Sequence, residues 1–133
     1  VAIIIKGVPS TQAGDFRQFD LPPADLVLLD APCSGTGTLR RHPDIKWSKT
    51  PEQILQLAEL QKDLLNHAAN LVRPGGFLIY STCYIEHEEN QEQTNRFLQE
   101  HPDWRTCERW ESFPGGENAD GAFAINIQHL ERV

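Results

Sequence analysis

Two cysteines, Cys33 and Cys83, each follow an apolar run that reads as a β-strand. The first run lies at residues 26–29 and is followed directly by Asp30, and the second lies at residues 77–80. A helix-patterned segment separates the runs, and two strands joined by such a crossover are parallel in one sheet. Because open α/β sheets bind ligands at the carboxyl ends of their strands, two thiols and a carboxylate there predict a catalytic site.

The remaining segments alternate between strand and helix patterns. Strands are predicted at residues 25–30 and 77–81, and a further strand at residues 122–130 from its alternation of apolar and smaller residues. A polar helix is predicted at about residues 88–100. The fold class is therefore α/β, with no internal repeat and no second domain.

The helix between the two apolar runs has clear start and stop signals. Thr50 can cap it, Pro51 suits the first helical position, and Gln53 completes a capping box. Apolar residues then recur with helical period, and Gln61 interrupts that stripe. The Pro-Gly-Gly sequence at residues 74–76 is predicted to stop the helix.

Charge is unevenly distributed along the 133 residues. The formal net charge is -7, which does not indicate general nucleic-acid binding, so a basic binding surface would have to be local. Such a cluster follows the first cysteine closely. It is either a solvated loop or a contact with an anionic substrate, and its position beside Cys33 favours the substrate. The cluster consists of Arg40, Arg41, His42, Lys46 and Lys49.

Composition also excludes several classes of protein. Three irregularly spaced cysteines argue against a disulfide framework and suit the reducing cytoplasm. No apolar stretch approaches the roughly 18 residues of a membrane span, and no signal peptide is recognisable. Scattered histidines without a Cys-x-x-Cys sequence predict no metal site. The chain has no Met and opens directly on an apolar run, so we expect a fragment.

Other residues of functional types are predicted to be structural. Cys107 has no motif around it, and we expect a buried, inert thiol. All three tryptophans, Trp47, Trp104 and Trp110, are expected to pack rather than to stack on bases, and only Trp47 has basic neighbours that would also suit base stacking. Surface positions or satisfied hydrogen bonds are expected for the histidines, which are His42, His67, His87, His101 and His129.

Several motifs in a fixed order carry a resemblance. They are Asp-Ala-Pro-Cys-Ser-Gly-Thr-Gly at residues 30–37, Arg-Arg-His-Pro-Asp-Ile-Lys-Trp at 40–47, Pro-Gly-Gly at 74–76, Ser-Thr-Cys at 81–83 and Glu-Glu-Asn at 88–90. In this order they resemble the carboxyl-terminal part of the RNA 5-methylcytosine methyltransferases of the Sun family. The resemblance extends from about residue 14 to the end, and the ordered set is far more specific than Asp-Ala-Pro-Cys alone.

The resemblance implies a partial class I, Rossmann-like methyltransferase sheet, with S-adenosylmethionine as cofactor and RNA, in particular ribosomal RNA, as partner. It implies that Cys83 is the nucleophile that adds to C6 of cytosine and that Cys33 assists release of the product. Asp30 would hydrogen-bond the cytosine edge near N3 and lie against the cofactor. Asp15, within Gly-Asp-Phe-Arg, would contact the adenine side of the cofactor.

One departure from the family concerns the cofactor pocket. The family domain begins with a strand and a Gly-rich loop for the methionine end, followed by a strand that ends in an acidic residue for the ribose. Neither is found here. The resemblance therefore implies that residues 1–133 are the carboxyl-terminal portion of the methyltransferase domain and are inactive alone.

The basic cluster has a place in this interpretation. Arg40, Arg41, His42 and Lys46 are expected to meet the phosphates that flank a flipped-out cytosine. A second hypothesis is a non-enzymatic half-domain that binds RNA or another partner through an exposed sheet edge.

Overall fold

The computed structural model describes residues 2–5, 15–18, 21–31, 50–82, 91–112 and 122–131. These residues form five strands, two α-helices and a short 3-10 helix at Phe16–Gln18. In chain order the elements are β1 (Ala2–Ile5), β2 (Ala24–Asp30), α1 (Pro51–Asn70), β3 (Val72–Thr82), α2 (Gln91–Glu100), β4 (Trp104–Ser112) and β5 (Ala122–His129).

The five strands form one mixed sheet in the order β1-β2-β3-β5-β4. β2 and β3 are parallel and joined by the crossover through α1, as the sequence predicts, whereas the other neighbouring pairs are antiparallel. Strands predicted at residues 25–30, 77–81 and 122–130 are thus confirmed, with β3 longer at both ends. The α/β fold class is confirmed.

The two faces of the sheet are buried to different degrees. We call the face that carries Val27, Leu78 and Ile127 the covered face, because these side chains are fully buried in one core cluster with residues of both helices. The register places Leu26, Phe77 and Gln128 in one row on the opposite face, here called the second face, where side chains are half-buried. Both described helices pack on the covered face: α1 contributes residues such as Leu65, and α2 contributes Phe97.

The capping box of α1 forms as predicted. Thr50 Oγ1 accepts a hydrogen bond from the Gln53 backbone N–H at 3.3 Å, and Gln53 Oε1 accepts one from the Thr50 N–H at 3.0 Å. These bonds satisfy two backbone donors that a helix start otherwise leaves without a partner. Gln61, which interrupts the apolar stripe, nevertheless faces the core and is 0% exposed.

The predicted stop of this helix is wrong. The helix ends at Asn70, with Leu71 as its C-cap, and Pro-Gly-Gly lies inside β3. The Leu71 carbonyl accepts a hydrogen bond from Ala24 N–H at 2.7 Å, which fixes the start of β2 beside the helix end. Gly76 is needed for close packing of strands, because a Cβ there would lie 2.8 Å from the backbone oxygen of Asp25.

β4 was not predicted, and it changes the interpretation of two residues. Cys107 is exposed rather than buried, at a register shift between Thr106 and Glu108. Trp110 is 49% exposed, so its predicted packing role is wrong. The indole of Trp104 is buried, edge-on to Phe97 at a centroid distance of 5.5 Å, which confirms its packing role.

The histidines in the described residues are satisfied, as expected. His129 Nε2 lies 3.0 Å from Asp103 Oδ2, its Nδ1 lies 3.2 Å from the Val72 carbonyl, and its ring stacks on Trp104. His101 Nδ1 lies 2.9 Å from the Phe97 carbonyl. Within the described ranges, no helix combines the length and apolar character needed to cross a membrane.

We predict that Thr50→Ala lowers the free energy of unfolding by about 1 kcal/mol, because it removes the hydroxyl that accepts the hydrogen bond of the Gln53 backbone N–H. Chemical denaturation measures the change. Thr50→Ser is the matched control and should retain most of the stability. Equal destabilisation by Ser and Ala would contradict a role for the hydroxyl.

Candidate active site

The last paired position of the parallel strands β2 and β3 joins an aspartate to a serine. Asp30 and Ser81 are directly paired in the register, and Ser81 Oγ donates a hydrogen bond to Asp30 Oδ1 at 3.1 Å. One residue further, the Ala31 N–H donates to the Ser81 carbonyl at 2.9 Å. Side-chain and backbone bonds together therefore hold the carboxyl ends of the two strands in register.

The Asp30 carboxylate is available to a ligand at this edge. Asp30 is exposed and Ser81 is half-buried, whereas the next residue, Thr82, is buried on the covered face. Successive side chains in a strand point to opposite faces, so Asp30 and Ser81 share the second face. An exposed carboxylate, held through one oxygen by a hydroxyl, can accept further hydrogen bonds from an amino group or a protonated ring nitrogen.

The two cysteines are attached to this pair by very short lengths of chain. Cys83 follows Ser81 by two positions, and Cys33 follows Asp30 by three. Both cysteines lie outside the described residues, so their meeting at the edge stays a prediction. The parallel pairing of β2 and β3, on which that prediction depends, is confirmed. The predicted RNA contacts Arg40, Arg41, His42 and Lys46 also lie outside the described residues.

Asp15 lies in a different local environment. Arg17 Nε is 2.9 Å from Asp15 Oδ1, and Arg17 Nη2 is 2.6 Å from Asp15 Oδ2, a two-pronged contact of guanidinium with carboxylate. These hydrogen bonds lower the pKa of Asp15 from 3.8 to about 2. Arg17 Nη1 also lies 3.7 Å from Asp63 Oδ2, so the pair is tied to α1.

The two aspartates that were predicted to contact the cofactor therefore have different bonding partners. Asp30 bonds to Ser81, whereas Asp15 bonds to Arg17 and through it faces Asp63. The Asp30–Ser81 pair and the Asp15–Arg17 pair thus form two separate polar groups. The cofactor role of Asp15 stays a prediction.

Sequence reasoning assigned no role to Ser81. The signal was present, because two parallel strands ending in Leu-Leu-Asp and Ile-Tyr-Ser bring Asp and Ser into one row if their apolar runs are aligned. Aligning them requires the register, which a sequence pattern does not supply on its own.

The sequence matches a family model and curated relatives. The family model described as 16S rRNA methyltransferase RsmB/F matches residues 6–128. Ribosomal RNA small subunit methyltransferase B of Salmonella newport is 43% identical over 126 residues, which are 90% of this chain and 28% of that protein. The protein of the same name from Salmonella dublin is 45% identical over 110 residues, 77% of this chain and 26% of that protein. The chain thus spans little more than a quarter of the length of these relatives.

Solved structures share the fold. A methyltransferase homolog protein from Pyrococcus horikoshii superposes with a TM-score of 0.69 at 26% identity, over 82% of this chain and 40% of that one. NSun6 from the same organism, solved with SFG, gives a TM-score of 0.72 at 24% identity, over 84% of this chain and 31% of that one. The second match, at its low identity, supports the fold alone.

We predict that Arg17→Gln raises the pKa of the Asp15 carboxyl from about 2 toward 3.8, because the two-pronged hydrogen bond holds the ionised form. Carboxyl carbon shifts in an NMR titration report it. Since the folded pKa is the lower one, Asp15 stabilises the fold above about pH 3.8 and loses that contribution as the pH falls toward 2. Asp63→Asn is the control and should change the Asp15 pKa little; an unchanged pKa in Arg17→Gln would contradict the pairing.

Proposed function

The chain belongs to the 16S rRNA methyltransferase RsmB/F family, and from this membership we propose that its protein methylates C5 of cytosine in RNA. The proposed substrate is ribosomal RNA in the cytoplasm, and the proposed methyl donor is S-adenosylmethionine. The observation that carries the proposal is the Asp30–Ser81 pair at the joint end of β2 and β3, with Cys33 and Cys83 next in sequence.

C5 of cytosine is a weak nucleophile, so the enzyme must first add a nucleophile of its own to the ring to activate C5. In the proposed reaction the Cys83 thiolate forms an S–C6 bond, and the C5–C6 π electrons move into an enamine whose reactive carbon is C5. Bound S-adenosylmethionine supplies an electrophilic methyl group for that carbon. A base then removes the C5 proton, the electrons left behind restore the C5–C6 double bond, and the C6–S bond breaks to release the Cys83 thiolate.

Asp30 is proposed to stabilise the adduct. Addition at C6 raises the basicity of N3, and an acceptor at the ring edge stabilises the protonated form. Ser81 donates to one carboxylate oxygen of Asp30 and so orients the side chain before the base arrives. Orientation in advance matters because a group that must reorganise during the reaction loses part of its electrostatic benefit.

Cys33 is proposed to assist the last stage, in which the methylated base leaves. In sequence Cys33 follows β2, the strand that ends in Asp30, whereas Cys83 follows β3. This arrangement would place one thiol on each strand end. Adduct formation needs only Cys83, so loss of Cys33 should slow release rather than attachment.

The acceptors on this chain fit only part of the cofactor. The exposed carboxylate of Asp30 suits hydrogen-bond donors of the nucleoside, and the exposed carboxylate of Asp15, which Arg17 holds through two hydrogen bonds, suits the adenine amino group. The sequence has no Gly-rich loop for the methionine end. The proposed activity therefore belongs to a whole protein with further chain, and the 133 residues alone are proposed to be inactive.

The basic segment is proposed to position the RNA. Arg40, Arg41, His42 and Lys46 follow Cys33 closely in sequence and would contact phosphates beside the flipped cytosine. The other hypothesis, a non-enzymatic half-domain, differs in one respect: the whole protein would bind RNA without binding labelled S-adenosylmethionine.

We predict opposite outcomes for the two cysteines in the whole protein incubated with substrate RNA and cofactor. Cys83→Ala should abolish both methyl transfer and covalent attachment, because no thiolate adds to C6. Cys33→Ala should accumulate protein covalently bound to methylated RNA, because the adduct forms and release fails. Denaturing gels with labelled RNA separate the two results.

Cys107→Ala is the matched control, since Cys107 is an exposed thiol on the edge strand β4 and should behave as the wild type. If Cys83→Ala accumulated the adduct and Cys33→Ala lost it, the two roles would be reversed. If neither variant changed attachment, the covalent mechanism would be wrong.

A further inference from the structure

Trp110 is an exposed aromatic residue on strand β4. Leu55 and Trp110 are the large hydrophobic residues that the described part of the chain leaves exposed, at 62% and 49%. The indole ring of Trp is large and apolar, and burying it would stabilise the fold. Left exposed, it does not contribute that stabilisation. A function for this side chain is therefore worth seeking in its position.

Trp110 lies in the same cross-strand row as the Asp30–Ser81 pair. It is paired with Ala124 of β5, Ala124 is paired with Ser81 of β3, and Ser81 is paired with Asp30 of β2. Directly paired residues project from the same face, so all four share the second face. Three strand spacings of about 4.8 Å separate the backbones of Trp110 and Asp30 by roughly 14 Å.

A bulge in β4 turns Trp110 toward this face. Trp104 projects from the covered face, and in an uninterrupted strand Trp110, six positions later, would do the same. The register shift between Thr106 and Glu108 leaves Cys107 as an extra residue, which reverses the facing of the later residues of β4. Bulges often redirect a side chain next to an active site in this way.

The strand beneath the indole is held in place from the covered face. Gln91 at the start of α2 donates to Glu111 Oε1 at 3.0 Å, and Arg109 Nε lies 3.6 Å from the same oxygen. On the second face Trp110 is paired with the small Ala124, and Ala124 is paired in turn with Ser81. An exposed aromatic ring in the same row as the proposed catalytic edge suits a flat apolar ligand.

We infer that Trp110 is a stacking platform for a nucleobase within about four nucleotides of the target cytosine in the RNA strand, an inference that rests on the proposed function. The roughly 14 Å to Asp30 corresponds to about four nucleotides at ~3.4 Å per stacked nucleotide. In single-stranded RNA the faces of the bases are open to contact, and aromatic side chains stack on such bases with little regard to sequence. Trp110 would thus position the strand while Asp30 contacts the target base.

The test measures binding of a short single-stranded RNA, with one central cytosine among adenosines, to the whole protein without cofactor. Trp110→Ala should weaken binding by about 5- to 150-fold, the range that stacking of one base supports. Trp110→Phe should retain most of the affinity because it keeps an aromatic face. Leu55→Ala, which removes an exposed apolar side chain from α1, is the control and should bind as the wild type.

A second set of RNAs, each lacking one base near the cytosine, locates the contact. The RNA without the stacked base should bind the wild type about as weakly as intact RNA binds Trp110→Ala, and the two changes together should add no further loss. The position should lie within about four nucleotides of the cytosine. Equal affinity of Trp110→Ala and wild type for intact RNA would overturn the inference, as would loss of affinity with no such coupling.

Two further readouts separate other outcomes. Acrylamide quenching measures how much tryptophan fluorescence of the whole protein is exposed to solvent. Trp110→Phe should remove part of the quenchable fluorescence. If it removed none, further chain would cover the indole and the inference would be wrong. Methylation of the cytosine is measured independently by mass spectrometry of the RNA. Loss of binding in Trp110→Ala with no C5 methylation by the wild type would refute the proposed function, not the stacking contact.

Discussion

The parallel pairing of β2 with β3 is the constraint on which the functional edge depends. Parallel strands need a crossover, and α1 provides it: its capped start follows the first cysteine segment, and its C-cap Leu71 bonds to the start of β2. At the other end of the strands, Ser81 bonds to Asp30 through its side chain and to Ala31 through its carbonyl. A slip of one residue in either strand would turn its polar side chain to the covered face.

Stability and function are divided between the two faces of the sheet. In β2, β3 and β5 the covered face is mainly apolar, and residues such as Leu29 and Tyr80 are wholly removed from solvent there. Truncating a side chain of this kind commonly costs about 2 to 5 kcal/mol. The second face is half-buried and carries Asp30, Ser81 and Trp110 in one row. Polar and aromatic groups are tolerated there because the core does not depend on them.

Features that depend on residues close in sequence were predicted. Most of the features that were missed depend on contacts between residues distant in sequence. The capping box of α1 and the apolar runs of β2 and β3 depend on neighbours in sequence, and they formed as expected. β4 escaped prediction because its bulge at Cys107 breaks the two-residue period and its exposed edge carries charges. The Arg17–Asp63 contact and the row through Trp110 require the tertiary register, which no single segment encodes.

Convergence of Cys33 and Cys83 beside the Asp30–Ser81 pair is best tested by thiol cross-linking of the native protein. A short bifunctional thiol reagent followed by peptide mapping should yield a Cys33–Cys83 link as the main product. Cys107, exposed on β4 two strands away from β3, should link to neither, and denaturant should remove the preference. Single modification of both cysteines without a link between them, or links to Cys107 formed as readily, would contradict their convergence.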